Sequence, residues 1–126
     1  MATGNKPFPK MHPVAGFALG TTSAGIKTPG RKDLVLMQIQ PQASVAALFT
    51  QNAFCAAPVV VCRQHLSTDV PRYLLVNTGN ANAGTGEQGL VDAQRSCQAL
   101  AERQGVSPQQ VLPFSTGVIG EPLPVD

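Results

Sequence analysis

Ser115-Thr116-Gly117-Val118-Ile119-Gly120 sets a pair of hydroxyl residues and a glycine at the end of an apolar run. A strand that finishes this way can turn a side-chain O–H and a backbone N–H toward one point, the layout that holds an oxygen gaining charge during acyl transfer. An ordinary strand-to-loop turn has the same composition. A second candidate is Asn77-Thr78-Gly79-Asn80-Ala81-Asn82-Ala83-Gly84-Thr85-Gly86. Asparagine and glycine reach positive φ cheaply and expose backbone N–H groups, so the stretch suits a ligand-contacting loop or a structural loop with buried amides. It lacks the Gly-Lys-Ser/Thr ending of a nucleotide P-loop and the glycine spacing of a dinucleotide fingerprint. A third candidate, residues 24–33, carries Lys27, Arg31 and Lys32. These cations could draw in carboxylated substrates, or simply solvate a flank.

Other chemistries find little support. The histidines are His12 and His65, neither in a setting that suggests a Ser/His/Asp arrangement, and the carboxylates are scattered with no pair spaced for acid–base work. Cys55, Cys62 and Cys97 are an odd number in a chain that is not cysteine-dense, which reads as reduced thiols in a cytoplasmic protein. A zinc site would have to use Cys55, Cys62, His65 and His12. The spacing Cys62-Arg63-Gln64-His65 has no second close pair, so no metal is expected.

The chain has 126 residues, enough for one domain with a core. At 43% hydrophobic and 13% charged it has few solubilising groups, as fits buried sheet or a surface covered by more protein. A net charge of +2 with no basic run, one Tyr and five Phe is unlike a nucleic-acid binder, which clusters cations beside stacking aromatics. No window reaches the ~18 apolar residues of a membrane helix. Residues 1–13 are polar and proline-rich, unlike a signal peptide.

The positioning elements follow from pattern. Residues 1–12 read as a flexible lead-in and 13–126 as one domain. Strands are expected at 14–19, at 33–39, where apolar residues are nearly continuous, and at 44–50, returning antiparallel after a turn at Pro41-Gln42. The apolar run 56–62 is β-rich at Val59-Val60-Val61, and 63–71 connects it onward with at most a helical turn. Residues 72–77 form a strand leading into the asparagine-rich stretch. Leu90, Ala93, Cys97, Leu100, Ala101 and Gln104 recur at helical steps, predicting a helix over 88–104 that stops at Gly105. Ser107-Pro108 caps a single turn, and 111–114 is a short strand entering Ser115-Thr116-Gly117. The order implies an α+β or layered α/β fold.

Taken together, Ala24-Gly25-Ile26-Lys27 with Gly30-Arg31-Lys32-Asp33-Leu34, Phe49-Thr50-Gln51-Asn52 with Ala56-Ala57-Pro58-Val59, Val76-Asn77-Thr78-Gly79-Asn80-Ala81-Asn82-Ala83, and Ser115-Thr116-Gly117-Val118-Ile119-Gly120 resemble the ornithine acetyltransferase family. Members are also called glutamate N-acetyltransferases, of arginine biosynthesis. The motifs occur in the family's order across residues 14–124.

The resemblance implies a layered sandwich similar to N-terminal-nucleophile hydrolases. It also implies a multifunctional enzyme that takes acetyl from N-acetylornithine, gives it to glutamate, and in some members accepts acetyl-CoA as donor, with no bound cofactor. The family precursor cleaves itself autocatalytically into α and β chains, assembled as a heterotetramer of two of each. A threonine at the new β N-terminus is the nucleophile, and its own α-amino group can serve as base, so the shortage of histidine is no obstacle. By matching the family motif, Thr116 and Gly117 are the oxyanion-hole pair, Thr116 through its hydroxyl and Gly117 through its backbone N–H. The cleavage site and most substrate-contacting residues of relatives lie beyond the position matching Asp126, so substrate-binding residues are unknown here. The fragment is expected to be inactive alone. A self-cleaving aminopeptidase of the same fold and a non-catalytic small-ligand module are the alternatives.

Overall fold

The computed structural model describes residues 9–126. Most of the expected lead-in, residues 1–8, lies outside the described residues; residues 9–12 are exposed and carry no regular structure. The elements run β1 (Phe17–Thr22), β2 (Leu34–Ile39), α1 (Ala57–Leu66), β3 (Tyr73–Asn80), α2 (Gly86–Gln104), a 3-10 turn (Pro108–Gln110) and β4 (Val111–Val118). The four strands form one mixed sheet in the order β1-β2-β3-β4. β1 and β3 flank β2 antiparallel, and β4 joins β3 in parallel. A parallel pair needs a crossover, and α2 supplies it.

The face of β3 and β4 that carries Tyr73 and Val111 receives α2. Ala93, Cys97 and Ala101, at steps of four, are each no more than 1% exposed and pack with Val61, Tyr73 and Val111. Small side chains on that stripe let the helix lie close on the sheet, and each fully buried valine contributes ~1.5–3 kcal/mol. Gly105 ends α2 in the left-handed conformation, its N–H donating to the Ala101 carbonyl. The Ser107 N–H then donates to Gln110 Oε1 at 3.3 Å to close the single turn before β4.

Several expectations need correction; the first strand, expected at 14–19, is Phe17–Thr22. Residues 44–50 form no strand. Both edges of β2 are already taken, by β1 and β3, so a returning hairpin strand has nowhere to pair. Instead the segment runs beside α1, where Arg63 lies 5.3 Å from the Phe49 ring and donates to the Thr50 carbonyl.

The run 56–62 is helical from Ala57, not extended, and the helix continues into the predicted connector as far as Leu66. Pro58 in the first turn is favourable for a helix start. Ala57, Val61 and His65 with Pro58 and Cys62 make a buried stripe at four-residue steps, so packing overrides the β preference of three consecutive valines.

The last strand does not stop at 114. It stays paired with β3 through Gly79–Gly117 and on to Val118. Likewise β3 runs to Asn80, so the asparagine-rich stretch begins inside the sheet.

Helix α1 also solves the edge problem of β4. The Val111 and Pro113 carbonyls point away from β3 and meet side chains rather than another strand: His65 Nδ1 donates to Val111 O at 2.7 Å and the Cys62 thiol to Pro113 O at 3.1 Å. Because a carbonyl can only accept, His65 carries a proton on Nδ1. Proline is tolerated at 113 because its missing N–H falls on this unladdered side.

Candidate functional site

The tips of β3 and β4 are built by close approach of two glycines. Gly79 pairs with Gly117, with a register irregularity at Gly79 and Asn80. Gly117 has φ +138°, and a methyl there would stand 2.4 Å from the carbonyl carbon of Gly79 and 2.5 Å from the nitrogen of Asn80. Only a glycine fits.

Thr116 and Gly117 are both exposed at this tip rather than packed inside. Backbone groups of successive strand residues point to opposite edges. Val118 accepts from the Ala81 N–H at 2.8 Å on the β3 side, whereas the Val111 and Pro113 carbonyls face the opposite side. Gly117 shares the parity of Val111 and Pro113, so its N–H emerges on the edge away from β3.

The asparagines are spent internally. Asn77 Nδ2 donates to the Asn80 carbonyl at 2.8 Å, and Ser115 Oγ donates to Asn77 Oδ1. Asn80 Nδ2 donates to Glu121 O at 3.0 Å and Pro122 O at 2.9 Å, while its Oδ1 accepts from the Asn82 N–H at 2.8 Å. Asn82 Nδ2 donates to Gly89 O at 2.8 Å, and its Oδ1 accepts from Thr85 Oγ1 at 2.9 Å. All three residues are buried. Of the two readings open for this stretch, the side chains take the structural one, joining the strand tips to the start of α2.

The cationic loop comes to the same corner through Asp33. Its carboxylate accepts from the Ala24 N–H at 2.6 Å and the Ile26 N–H at 2.7 Å, closing the loop. These backbone donors, Ala24 first, outweigh desolvation and hold the carboxyl below its usual pKa of 3.8. Lys27 is thereby laid across Gly79, its Cγ 3.0 Å from where a Gly79 methyl would be, and its ammonium pairs with Glu121. Arg31 and Lys32 are exposed, and no ion pair holds either among the described residues.

Asp33, Glu121 and the Asn77–Ser115 bond went unread in the sequence. Only Asp33 left a trace, as a carboxylate placed between a glycine turn and a strand, where such residues collect backbone N–H groups.

Two cavities flank β4 below its tip. One, about 260 Å³, lies between sheet and α2 and is lined by Leu75, Asn77, Ser96, Arg103 and Ser115. The other, about 270 Å³, lies by α1 and is lined by Phe49, Val59, Leu66, Leu112 and Phe114. Neither is lined by Thr116 or Gly117.

The cysteines are free, and burial pushes the Cys62 and Cys97 thiols up to about 12, so they stay neutral and poorly nucleophilic. Among the described residues, no three His, Cys, Asp or Glu side chains gather where a metal could bind, and no helix is long and apolar enough to cross a membrane.

One mixed sheet with its crossover helix makes a mixed α/β architecture, and the solved structures it resembles have the N-terminal-nucleophile hydrolase fold. A model of the ArgJ family matches residues 18–126, and the chain belongs to that family. Over all 126 residues it is 63% identical to the arginine biosynthesis bifunctional protein ArgJ of Pseudomonas syringae pv. tomato and 60% identical to that of Pseudomonas fluorescens. It spans 31% of the length of each.

Among solved structures, the bifunctional protein ArgJ of Bacillus halodurans superposes with a TM-score of 0.83 at 38% identity. That match covers 89% of this chain and 59% of the other. The ornithine acetyltransferase of Mycobacterium tuberculosis, solved with ornithine, gives 0.78 at 38% identity, covering 89% and 61%.

Proposed function

We propose that this chain supplies the charge-stabilising part of an acetyltransferase of arginine biosynthesis in the cytoplasm, one that moves acetyl from N-acetylornithine to glutamate. Acetyl-CoA is proposed as a second donor to glutamate. The observation that carries the reading is the exposed Thr116–Gly117 pair. A hydroxyl and an outward N–H stand together at a strand tip, in a chain whose relatives are named for arginine biosynthesis. The self-cleaving aminopeptidase and the small-ligand module are the alternative readings, and no geometry at the tip favours either.

In the proposed reaction a threonine hydroxyl, from polypeptide beyond these residues, attacks the acetyl carbonyl carbon of N-acetylornithine while its α-amino group takes the proton. The carbonyl oxygen becomes an oxyanion, and Thr116 Oγ1–H and the Gly117 N–H donate to it. Collapse breaks the C–N bond, and the proton passes to the departing ornithine amine. Glutamate's amine then attacks the acetyl-threonine ester through a second oxyanion in the same place. N-acetylglutamate leaves and the threonine is restored.

The residues assayed alone have no nucleophile in this scheme and are without turnover. Partners follow the same logic: the rest of the α chain and the β chain, in a heterotetramer.

The test is Thr116→Ala in the full-length protein. Removing one oxyanion donor costs ~2.7–4 kcal/mol of transition-state stabilisation, so kcat for ornithine release should fall ~10²–10³-fold with little change in melting temperature. Normal turnover by the folded variant removes Thr116 from the hole and the reading with it.

A further inference from the structure

Thr116 and Gly117 are held through their backbone pairing with Thr78 and Gly79, with no side-chain hydrogen bond from Thr116 among the described residues, yet an oxyanion hole works only if its donors are fixed before charge develops. Further support lies on either side. The segment 116–120 is exposed throughout, while the residue before it and the residues after it are tied to β3 by a relay of amides. Ser115 Oγ donates to Asn77 Oδ1, Asn77 Nδ2 donates to the Asn80 carbonyl, and Asn80 Nδ2 reaches the carbonyls of both Glu121 and Pro122. We infer that Asn80 is a positioning residue for acyl transfer, clasping the far end of the Thr116–Gly117 segment against the tip of β3.

Asn80 suits this role in several ways. It is 1% exposed, and both ends of its carboxamide are occupied: two N–H donors on successive carbonyls, and the oxygen on the Asn82 N–H. Its own nitrogen, with the Gly79 carbonyl, is among the atoms against which Gly117 is packed. One residue thus shares in the close approach through its backbone and sets the return path of the chain through its side chain. The backbone bonds from Ala81 N–H to Val118 O and from Gly120 N–H to Ala83 O pin the middle of the segment, but neither reaches past Gly120. Without the carboxamide, the stretch from Glu121 onward loses these two bonds to β3, and the segment after Gly117 is left with the Val118 and Gly120 backbone bonds alone. Aspartate at this position would set a carboxylate against two carbonyl oxygens and push the segment off.

The inference rests on the proposed oxyanion hole and is tested so that the two can fail separately. In the full-length protein, steady-state kinetics with N-acetylornithine and glutamate are measured for Asn80→Ala, Thr116→Ala and the double variant, each with a melting curve. A misplacement of about 1 Å at the reacting centre costs ~10²-fold, so Asn80→Ala should lower kcat ~10- to 100-fold, with KM for either substrate much less affected. In the Thr116→Ala background the same change should cost markedly less, because part of what Asn80 positions is already gone. A purely structural asparagine would lower the melting temperature and give independent, multiplicative effects. That result overturns the inference, as does a folded Asn80→Ala with normal kcat.

If Thr116→Ala alone leaves turnover intact, the hole itself is lost, not merely its support. Should Asn80→Ala not fold, the same cycle run with Ser115→Ala reads the other end of the relay. Coupling to Thr116 is again expected, and multiplicative effects again overturn it.

Discussion

At the scale of single residues, the corner depends on an atom that is absent. Gly117 sits at φ +138° with the backbone of Gly79 and Asn80 where a side chain would begin. Those obstacles are main chain and cannot rotate aside, so even one methyl must push the β4 tip away from β3. Gly117→Ala is therefore expected to cost ~1–3 kcal/mol of stability from backbone strain alone. It should depress turnover more than Thr116→Ala, since the hydroxyl and the N–H move together. Thermal melting and kcat on the full-length variant check both parts. A melting temperature equal to the parent's would mean that β3 and β4 do not approach this closely. The same glycine shows why the candidate site was only half legible in the sequence. Thr116-Gly117 could be picked out as a hydroxyl-glycine pair, but their support could not, because Asn80 reaches residues 41 and 42 positions away in the chain.

Elements hold the pair at the sheet's rim, and α1 is the one whose sequence misleads. Its valines favour strand, yet its other signals, a first-turn proline and a buried stripe at four-residue steps, belong to a helix. The strands β2 and β3 and the helix α2 were readable from apolar runs and periodicity, because each has a local pattern matching its burial. The expected strand over 44–50 was not refutable locally, since its exclusion comes from β1 and β3 filling both edges of β2.

Helix α1 earns its place by closing the edge of β4, and His65 is the donor to test. Replacing it, as His65→Leu, leaves the Val111 carbonyl with a long thiol contact, 3.6 Å from Cys97 Sγ. A buried acceptor stripped of its donor costs ~1–3 kcal/mol. Chemical denaturation of the full-length variant should show that loss, with turnover per folded molecule nearly unchanged because Val111 lies well below the strand tip. A loss of turnover without loss of stability would instead tie α1 to the chemistry.

For the whole molecule, the sheet is covered on one face and only partly on the other, where Leu112 is buried but the rows toward β1 are not. Alternation along the strands sets Leu19, Met37 and Leu74 in one row and Val35, Val76 and Phe114 in the next, on the side away from Tyr73, Leu75 and α2. Within these rows Leu19 is 59% exposed and Phe114 40%, and Phe17 beside them is also 40% exposed. β1 adds a free edge to the same side, since it pairs only with β2 among the described residues. Apolar surface beside unpaired strand edges drives association, because burying it recovers ~25 cal/mol for each Å² and the edge supplies hydrogen bonds to guide pairing. With a net charge of only +2, little repulsion opposes contact between copies. The 126 residues on their own are thus expected to show a mass that rises with concentration by light scattering, and raising salt should increase it. Replacing Leu19 and Phe17 by lysine should restore a monomer without unfolding the α2-covered core. A sharp monomer at every concentration, with a cooperative melt, would show instead that the open face is stable in water.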